Sequence, residues 1–387
     1  MEKCNRAFIM ILMIFFTLFL LTGCWSNKPI EELNIIVGSS IDKEKNQQIK
    51  STLQYVVPEA MANKAGGGGA PTQKPYINVS AVANSLEPAG WETTLKREGI
   101  IFGPHQKTVI ISEELAREAK LRQLTDLYYR DIDIRGSTHI FIAKGRADQT
   151  LETKELNVIP SLRISEIATQ TFTTELLSNT TLMKIWGFMN SGTSFLLQML
   201  DTTAGEVAFS GAAVIEGKST KVIGTLNKED IQGINWITGE GKGGYVKAYD
   251  KPSDKPTYYQ IESMKSTIKP HVKGKKISFD VTMESEGRIS EYWNPHFQEA
   301  FNNKNVKDIE KVAEKEVQRL AEQVMKKTQK EYKVDVVGFG NQLRIKHPKL
   351  WEKKKDHWDE EFSKVPITYH VDLTIKDYGM IGKKKSK

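Results

Sequence analysis

The residues best placed for chemistry stand near the start of the chain. Leu21-Thr22-Gly23-Cys24 closes an apolar run from Ala7 to Leu21, broken only by Thr17, behind a short basic stretch carrying Lys3 and Arg6. A run of that length suits the apolar region of an export signal, since a helix that spans a bilayer needs about 20 residues. Leucine, two small residues and a cysteine form the pattern at which a thiol takes a diacylglyceryl group and the chain is cut just before it. The small residues let the peptide enter a tight cleavage site in extended form. The chemistry expected of Cys24 is S-diacylglycerol attachment and N-acylation of the new terminus. Two chains anchor a protein durably, whereas one binds only marginally.

Elsewhere, spacing that would support catalysis is missing. The chain has no Gly-x-Ser-x-Gly elbow, no His-Glu-x-x-His, no P-loop and no Gly-x-Gly-x-x-Gly after a strand. The histidines are scattered. His347 and His357 lack a third ligand, so neither a metal nor a cofactor is expected. Asp131/Asp133 and Glu284/Glu286 stand two apart, which on a strand would put each pair on one face. Solvated faces or ion pairs with Arg130, Arg135 and Arg288 are the favoured reading. His105, in a Gly-Pro turn, is expected to hold that turn by hydrogen bonds. The surface proposed for a partner or ligand is His105 and Lys107 with Arg130, Asp131 and Arg135. Ordinary turn and strand-edge chemistry is the competing account of both clusters.

Removing residues 1–23 from the 387 leaves 364, enough for two or three domains with real cores. The two cysteines are Cys4, inside the leader, and Cys24. The mature chain would thus have neither free thiol nor disulfide, and burial alone must hold it together. The leader contains two basic residues and one acid, so the net +7 of the whole chain becomes +6. Lys383, Lys384, Lys385 and Lys387 supply most of that, in a tail suited to anionic headgroups or simply to solvent. With no basic-aromatic stripe, a nucleic-acid partner is not expected.

The elements that must carry these residues can be read from pattern. Strands are expected at Leu33–Asp42 and Gln48–Val57, paired antiparallel, and at Tyr76–Val82 beyond a flexible loop holding Gly66 to Gly69. A helix is expected over Pro88–Glu98 and a buried strand at Val109–Ile111. Ser112, followed by Glu113 and Glu114, reads as the N-cap of a helix to about Ala119, with a second helical stretch from Leu121 to Tyr129. Ser137–Lys144 reads as a strand. Ile164 to about Leu200 reads as mostly helical, with Trp186, Phe188 and Phe195 in the core. Past Glu206 a hairpin (Val207–Ile215, Thr220–Thr225) leads to a helix capped by Asn227, and then to two long strands, Tyr258–Lys269 and Lys276–Ser285. Asn294-Pro295 breaks the pattern. From Val306 to Tyr332 the apolar residues Ile309, Val312, Ala313, Val317, Leu320, Ala321 and Val324 recur at three and four, an amphipathic helix about 37 Å long. A last strand runs from Ile367 to Ile375. The expected class is α+β. An elongated multi-domain arrangement is expected, with N-terminal mixed α/β domain(s) at 24–205, an α+β domain at 206–380 built on an antiparallel sheet and one long helix, and a basic tail at 381–387.

The ordered set of motifs resembles the Ger(x)C family of spore germination lipoproteins, the C subunits of nutrient germinant receptors. Gly23-Cys24-Trp25 followed by a strand ending Ile41-Asp42-Lys43 is similar to that family's start. So are Phe102-Gly-Pro-His105-Gln-Lys107, Val109 to Ala116 and Tyr129 to Arg135 in the first half. In the second half the likeness lies in Gly211 to Ile215, Gly224 to Leu226, Ile268 to Pro270, Asp335-Val-Val-Gly-Phe-Gly340, and Trp351 to Phe362. Together they span nearly the whole mature chain. Two segments depart from the pattern: the Gly66–Gly69 insertion, and Glu118-Ala-Lys120, where members often have a glycine. The resemblance implies a receptor subunit and not an enzyme, in three small mixed α/β domains. It implies a place on the outer face of the spore inner membrane beside two integral membrane subunits. A small-molecule germinant is implied for the receptor but not assigned to this subunit, and only Cys24 carries over as a functional residue.

Two other classes fit length and anchor. A solute-binding lipoprotein of a transporter is the main alternative, but such proteins usually have two parallel-sheet lobes about a hinge, and the second half here reads antiparallel. A lipid-anchored hydrolase lacks any nucleophile constellation.

Overall fold

The computed structural model describes residues 32–58, 60, 73–170, 175–177, 180–203, 205–241, 243–250, 255–293 and 303–377, with a few isolated positions before residue 32. Cys24, the Gly66–Gly69 segment, the Asn294-Pro295 break, His296 and the lysine tail lie outside these residues. Within them the expected α+β class holds, on two sheets.

The first sheet has nine strands. β1 (Leu33–Lys43) and β2 (Ile49–Val56) form the expected antiparallel pair, and β3 (Tyr76–Ala83) adds to β2 antiparallel. Helix α1 (Leu86–Thr94) leads to the short β4 (Ile100–Phe102) and then to β5 (Thr108–Ser112), both parallel to β1. Three short helices follow: α2 (Glu113–Glu118), α3 (Leu121–Leu124) and α4 (Asp126–Arg130). β6 (His139–Ala143) then joins β5 in parallel. Helices α5 (Pro160–Thr169) and α6 (Leu182–Ser191) precede β7 (Phe195–Thr203), parallel to β6. β8 (Glu206–Ile215) and β9 (Val222–Asn227) close the sheet antiparallel. The central strands are buried on both faces. Val109, Ile111, Ile140 and Ile142 meet Leu115, Leu121 and Ile185 from α2, α3 and α6, while Ile110 and Phe141 meet Ile164 of α5 on the other side.

Two expectations change here. Phe195 to Leu200 belongs to strand β7, not to a helix. Gly192, in the left-handed conformation (φ 67°), ends α6, and the short apolar run after it carries no period that separates strand from helix. Ser112 stands at the N-cap position of α2, but its hydroxyl makes no capping bond and is buried without a partner.

The second sheet is built from β10 (Tyr245–Asp250), β11 (Lys255–Lys273), β12 (Lys276–Tyr292) and β13 (Ile367–Asp377). The expected antiparallel sheet is present in β10–β12, and β13 adds to it in parallel. A parallel return needs a long crossover, which α8 (Asn303–Met325) begins before widening into a π-helical stretch over Lys326–Glu331. α9 (Phe339–Lys346), α10 (Pro348–Lys354) and α11 (Trp358–Phe362) complete it. The predicted apolar stripe of α8 is buried, with Ala313, Val317, Ala321 and Val324 fully enclosed and Leu320 2% exposed. α7 (Lys228–Thr238) is capped by Asn227 as expected, and the cap is a full capping box. Asn227 accepts from the Asp230 N–H, and the Asp230 carboxylate accepts from the Asn227 N–H, each at 2.9 Å. α7 packs so closely on α8 that a Cβ at Gly233 would lie 2.4 Å from the Leu320 carbonyl oxygen.

Candidate functional site

The two segments expected to form a surface are brought together. β5 and β6 run parallel, Thr108 opposite His139, so the loops that precede them share the amino-terminal end of the sheet. The Phe102–Lys107 turn ends where the Lys107 N–H donates to the Val37 carbonyl and the Lys107 carbonyl accepts from the His139 N–H, at 2.8 and 2.9 Å. The Arg130–Arg135 turn lies beside it, with an Ile134 side-chain carbon 3.5 Å from where a Cβ on Gly103 would sit.

His105, Lys107, Arg130, Asp131 and Arg135 are all exposed. His105 leans on Phe102, ring centroids 5.6 Å apart, and Arg130 pairs back to Asp126 at 2.6 Å. Asp131 and Asp133 lie in a turn, not on a strand, and the Asp131 carboxylate accepts the Asp133 N–H at 2.9 Å. They do not form a facing carboxylate pair. Glu284 and Glu286 are on β12, as ion pairs with Lys265 (4.0 Å) and Lys376 (2.8 Å).

The residue that holds the Gly-Pro turn is Gln106, next to the histidine singled out from sequence. Its side-chain amide is buried and donates to Ser39 Oγ at 2.7 Å and to the Thr108 carbonyl at 3.2 Å. Its carbonyl accepts from Thr138 Oγ1 at 3.0 Å. Ser39 Oγ also meets the Tyr128 hydroxyl at 2.9 Å, and burial pushes that phenol up to about 12. β1, α4, β5 and the approach to β6 are thus tied by one buried polar network. The sequence reads Ser39 in a strand and Tyr128 in a helical stretch, but nothing local says that the two meet.

The opposite, carboxyl end of the parallel strands carries a cleft of about 390 Å³, lined by Asp42, Lys43, Ser112, Glu113, Arg117 and Arg146 among others. Ligands of parallel α/β sheets bind at this end. Its charges are already paired: Lys43 with Glu114 and Glu118 (2.9 and 2.5 Å), Arg117 with Glu113 (2.6 Å), and Arg146 with Asp148 (2.9 Å). Asp42, 1% exposed, accepts the N–H groups of Ala147 and Asp148 at 2.6 and 2.9 Å. Burial raises its carboxyl despite those bonds. At Asp148 burial works the same way but is outweighed by Arg146 and Lys50, which hold the carboxyl below its ordinary value. Asp42 therefore fixes the loop after β6.

A second buried carboxylate organises the other half. Asp335 Oδ1 accepts from the N–H groups of Val337, Gly338 and Phe339 (3.2, 2.8 and 3.1 Å), and Oδ2 from Gly340 N–H (2.6 Å) and Trp358 Nε1–H (2.8 Å). The Asp335-to-Gly340 motif is a structural one. Among the described residues no group of three His, Cys, Asp or Glu is placed to hold a metal ion, and no helix is long and apolar enough to cross a membrane.

Fold and surface together define a multi-domain α+β protein whose shared motifs mostly support loops from within. Residues 26–202 match the family model described as the spore germination protein N-terminal domain, and residues 210–379 match the model for the C-terminal part of spore germination B3 and GerAC-like proteins. The chain belongs to this Ger(x)C family. It is 40% identical over 401 residues to spore germination protein YndF of Bacillus subtilis (strain 168), covering 98% of this chain and 99% of that one. It is 29% identical over 375 residues to spore germination protein B3 of the same strain, covering 96% and 98%. The crystal structure of the GerBC protein superposes with a TM-score of 0.63 at 24% identity, over 88% of this chain and 97% of that one, a likeness of fold.

Proposed function

We propose that the mature chain is the lipid-anchored C subunit of a spore nutrient germinant receptor, held by acylated Cys24 on the extracytoplasmic face of the spore inner membrane. It acts through contacts with two integral membrane subunits and turns over no substrate. The observation that carries this reading is the match to spore germination proteins along both halves of the chain, behind a leader ending Leu-Thr-Gly-Cys. Confinement to one membrane raises the effective concentration of the partners, so a subunit contact that is weak in solution suffices in place. Exposed His105, Lys107, Arg130, Asp131 and Arg135, on adjoining loops, are the proposed contact surface.

Spores lacking the gene should lose the response to particular nutrients and keep the response to external dipicolinate. Loss of uptake of one solute with every nutrient response intact would instead select the solute-binding alternative. Cys24→Ala should leave the protein unprocessed or soluble on fractionation and impair germination through the one receptor. Retention of mature mutant protein in the membrane fraction would remove the anchor from the account.

A further inference from the structure

The two ends of the parallel strands differ in kind. The carboxyl end carries the cleft lined by charged Lys43, Glu113, Arg117 and Arg146. At the amino end large apolar side chains project into solvent from four separate segments. Leu95, just past α1, is 80% exposed, and Ile132, at the tip of the turn after α4, is 97% exposed. Met183 at the start of α6 is 66% exposed and Ile100 at the start of β4 is 44% exposed. They belong to one end of the molecule. Leu33 of β1 pairs with Ile100. Arg97, two residues past Leu95, donates to Asn34 at 2.6 Å. The Met183 N–H donates to the Gly136 carbonyl, in the loop that also carries Ile132.

The chain also enters the fold here. Glu32 lies against Gly99, and β1 begins at Leu33. Only eight residues separate Leu33 from Cys24, nine chain steps that reach at most about 30 Å fully extended. Anchored at Cys24, the protein keeps this end within that distance of the bilayer. The tips stand apart among exposed charges of both signs, Lys107, Arg130 and Arg135 with Asp131 and Asp133; at a headgroup-acyl boundary each apolar side chain enters separately while the charged loops of the proposed subunit contact stay in the headgroup layer.

We infer that the amino-terminal end of the first sheet docks on the bilayer surface through Leu95, Ile100, Ile132 and Met183. This rests on the anchor at Cys24. It orients the first sheet, with the charged cleft facing away from the membrane. The affinity of four tips is small by itself, and the tether makes it sufficient.

The test attaches the mature chain to vesicles of phosphatidylcholine and phosphatidylglycerol through the Cys24 thiol and a maleimide lipid, so natural acylation is not needed. Backbone hydrogen exchange is then compared between tethered and free protein. Exchange should slow at residues 95–102 and 131–136 and stay unchanged around Glu113–Arg117. Leu95→Asp with Ile132→Asp should abolish the slowing while tether and thermal midpoint persist, since both side chains stand in solvent. Equal exchange in tethered and free wild type, or slowing only after the integral subunits are added, overturns the proposal. Retention of the Cys24→Ala protein in the membrane fraction would count against the acyl anchor and not against this contact, which the maleimide tether tests separately.

Discussion

Asp335→Asn should destabilise the second half by about 2–4 kcal/mol, and the geometry says which half of the carboxylate carries the loss. Asp335 is 4% exposed and collects five donors, three on Oδ1 and two on Oδ2. Asparagine keeps Oδ1 for Val337, Gly338 and Phe339. It turns an N–H₂ toward the Gly340 N–H and the Trp358 indole, leaving two buried donors facing a donor. Each buried group left unsatisfied costs about 1–3 kcal/mol, and the lower part of that range at two groups gives about 2–4. Asp335→Ala strands all five, and partial rehydration of the space holds its cost to about 4–5 kcal/mol. Trp358→Phe removes one of the two donors at Oδ2. The double variant Asp335→Asn/Trp358→Phe should then fall short of additivity by about 1 kcal/mol. Guanidinium denaturation of the mature chain, followed by circular dichroism and tryptophan fluorescence, measures all of these. An Asp335→Asn midpoint equal to wild type, or strict additivity with Trp358→Phe, would show that the carboxylate does not organise this loop.

Other expectations follow from packing and protonation. Leu320→Asp puts a carboxylate on the buried stripe of α8, where the side chain is 2% exposed. It should cost several kcal/mol, roughly 3 or more, in a thermal or chemical melt. Gly233→Ala forces α7 and α8 apart, because the obstacle is a main-chain oxygen that cannot swing away. A loss of about 1–3 kcal/mol is expected in the same melts. His139 is 9% exposed, and burial first, then Lys107, depresses its pKa. The unfolded chain therefore binds the proton more tightly. The stabilisation is complete above the unfolded value of about 6.5 and is lost as pH falls through it toward the folded value. His139→Phe should flatten that slope, read as denaturation midpoints between pH 7.5 and 5.

The elements legible in sequence are those with a local signal. β2 shows alternation, α7 shows the capping residue Asn227 ahead of its first turn, and α8 shows seven apolar residues at helical spacing. β7 was not legible because Phe195 to Leu200 is apolar at nearly every position, and a strand buried on both faces loses its period. The polar anchors were hidden for another reason. Asp42 meets its partners 105 and 106 residues away, Gln106 meets Ser39 67 residues away, and Asp335 meets Trp358 after 23. Local spacing carries nothing about such pairs. His105 drew attention as a residue type with chemistry, while its neutral neighbour Gln106 holds the turn. Nothing local says that the loops carrying His105 and Arg130 adjoin, and the charges on them lie in turns and not along strands.

β8 explains why the two halves act as one body although the family models divide between residues 202 and 210. The strand pairs with β7 on one side and β9 on the other, so it belongs to the first sheet. Its side chains alternate between two cores. Ala213 and Ile215 join the core under α2, α3 and α6, while Ala212 and Val214 join the large core of α7, α8 and the second sheet. β7 and β9 repeat the division, with Leu196 and Leu226 facing the second core, Leu197 and Val222 the first. Ser194 extends the seam by donating from the approach to β7 to the Asp359 carboxylate at 3.3 Å. Sliding one half against the other would pull every second residue of a continuous strand out of a packed interior. Each large side chain so exposed costs about 1.5–3 kcal/mol. A hinge therefore has no place in this seam.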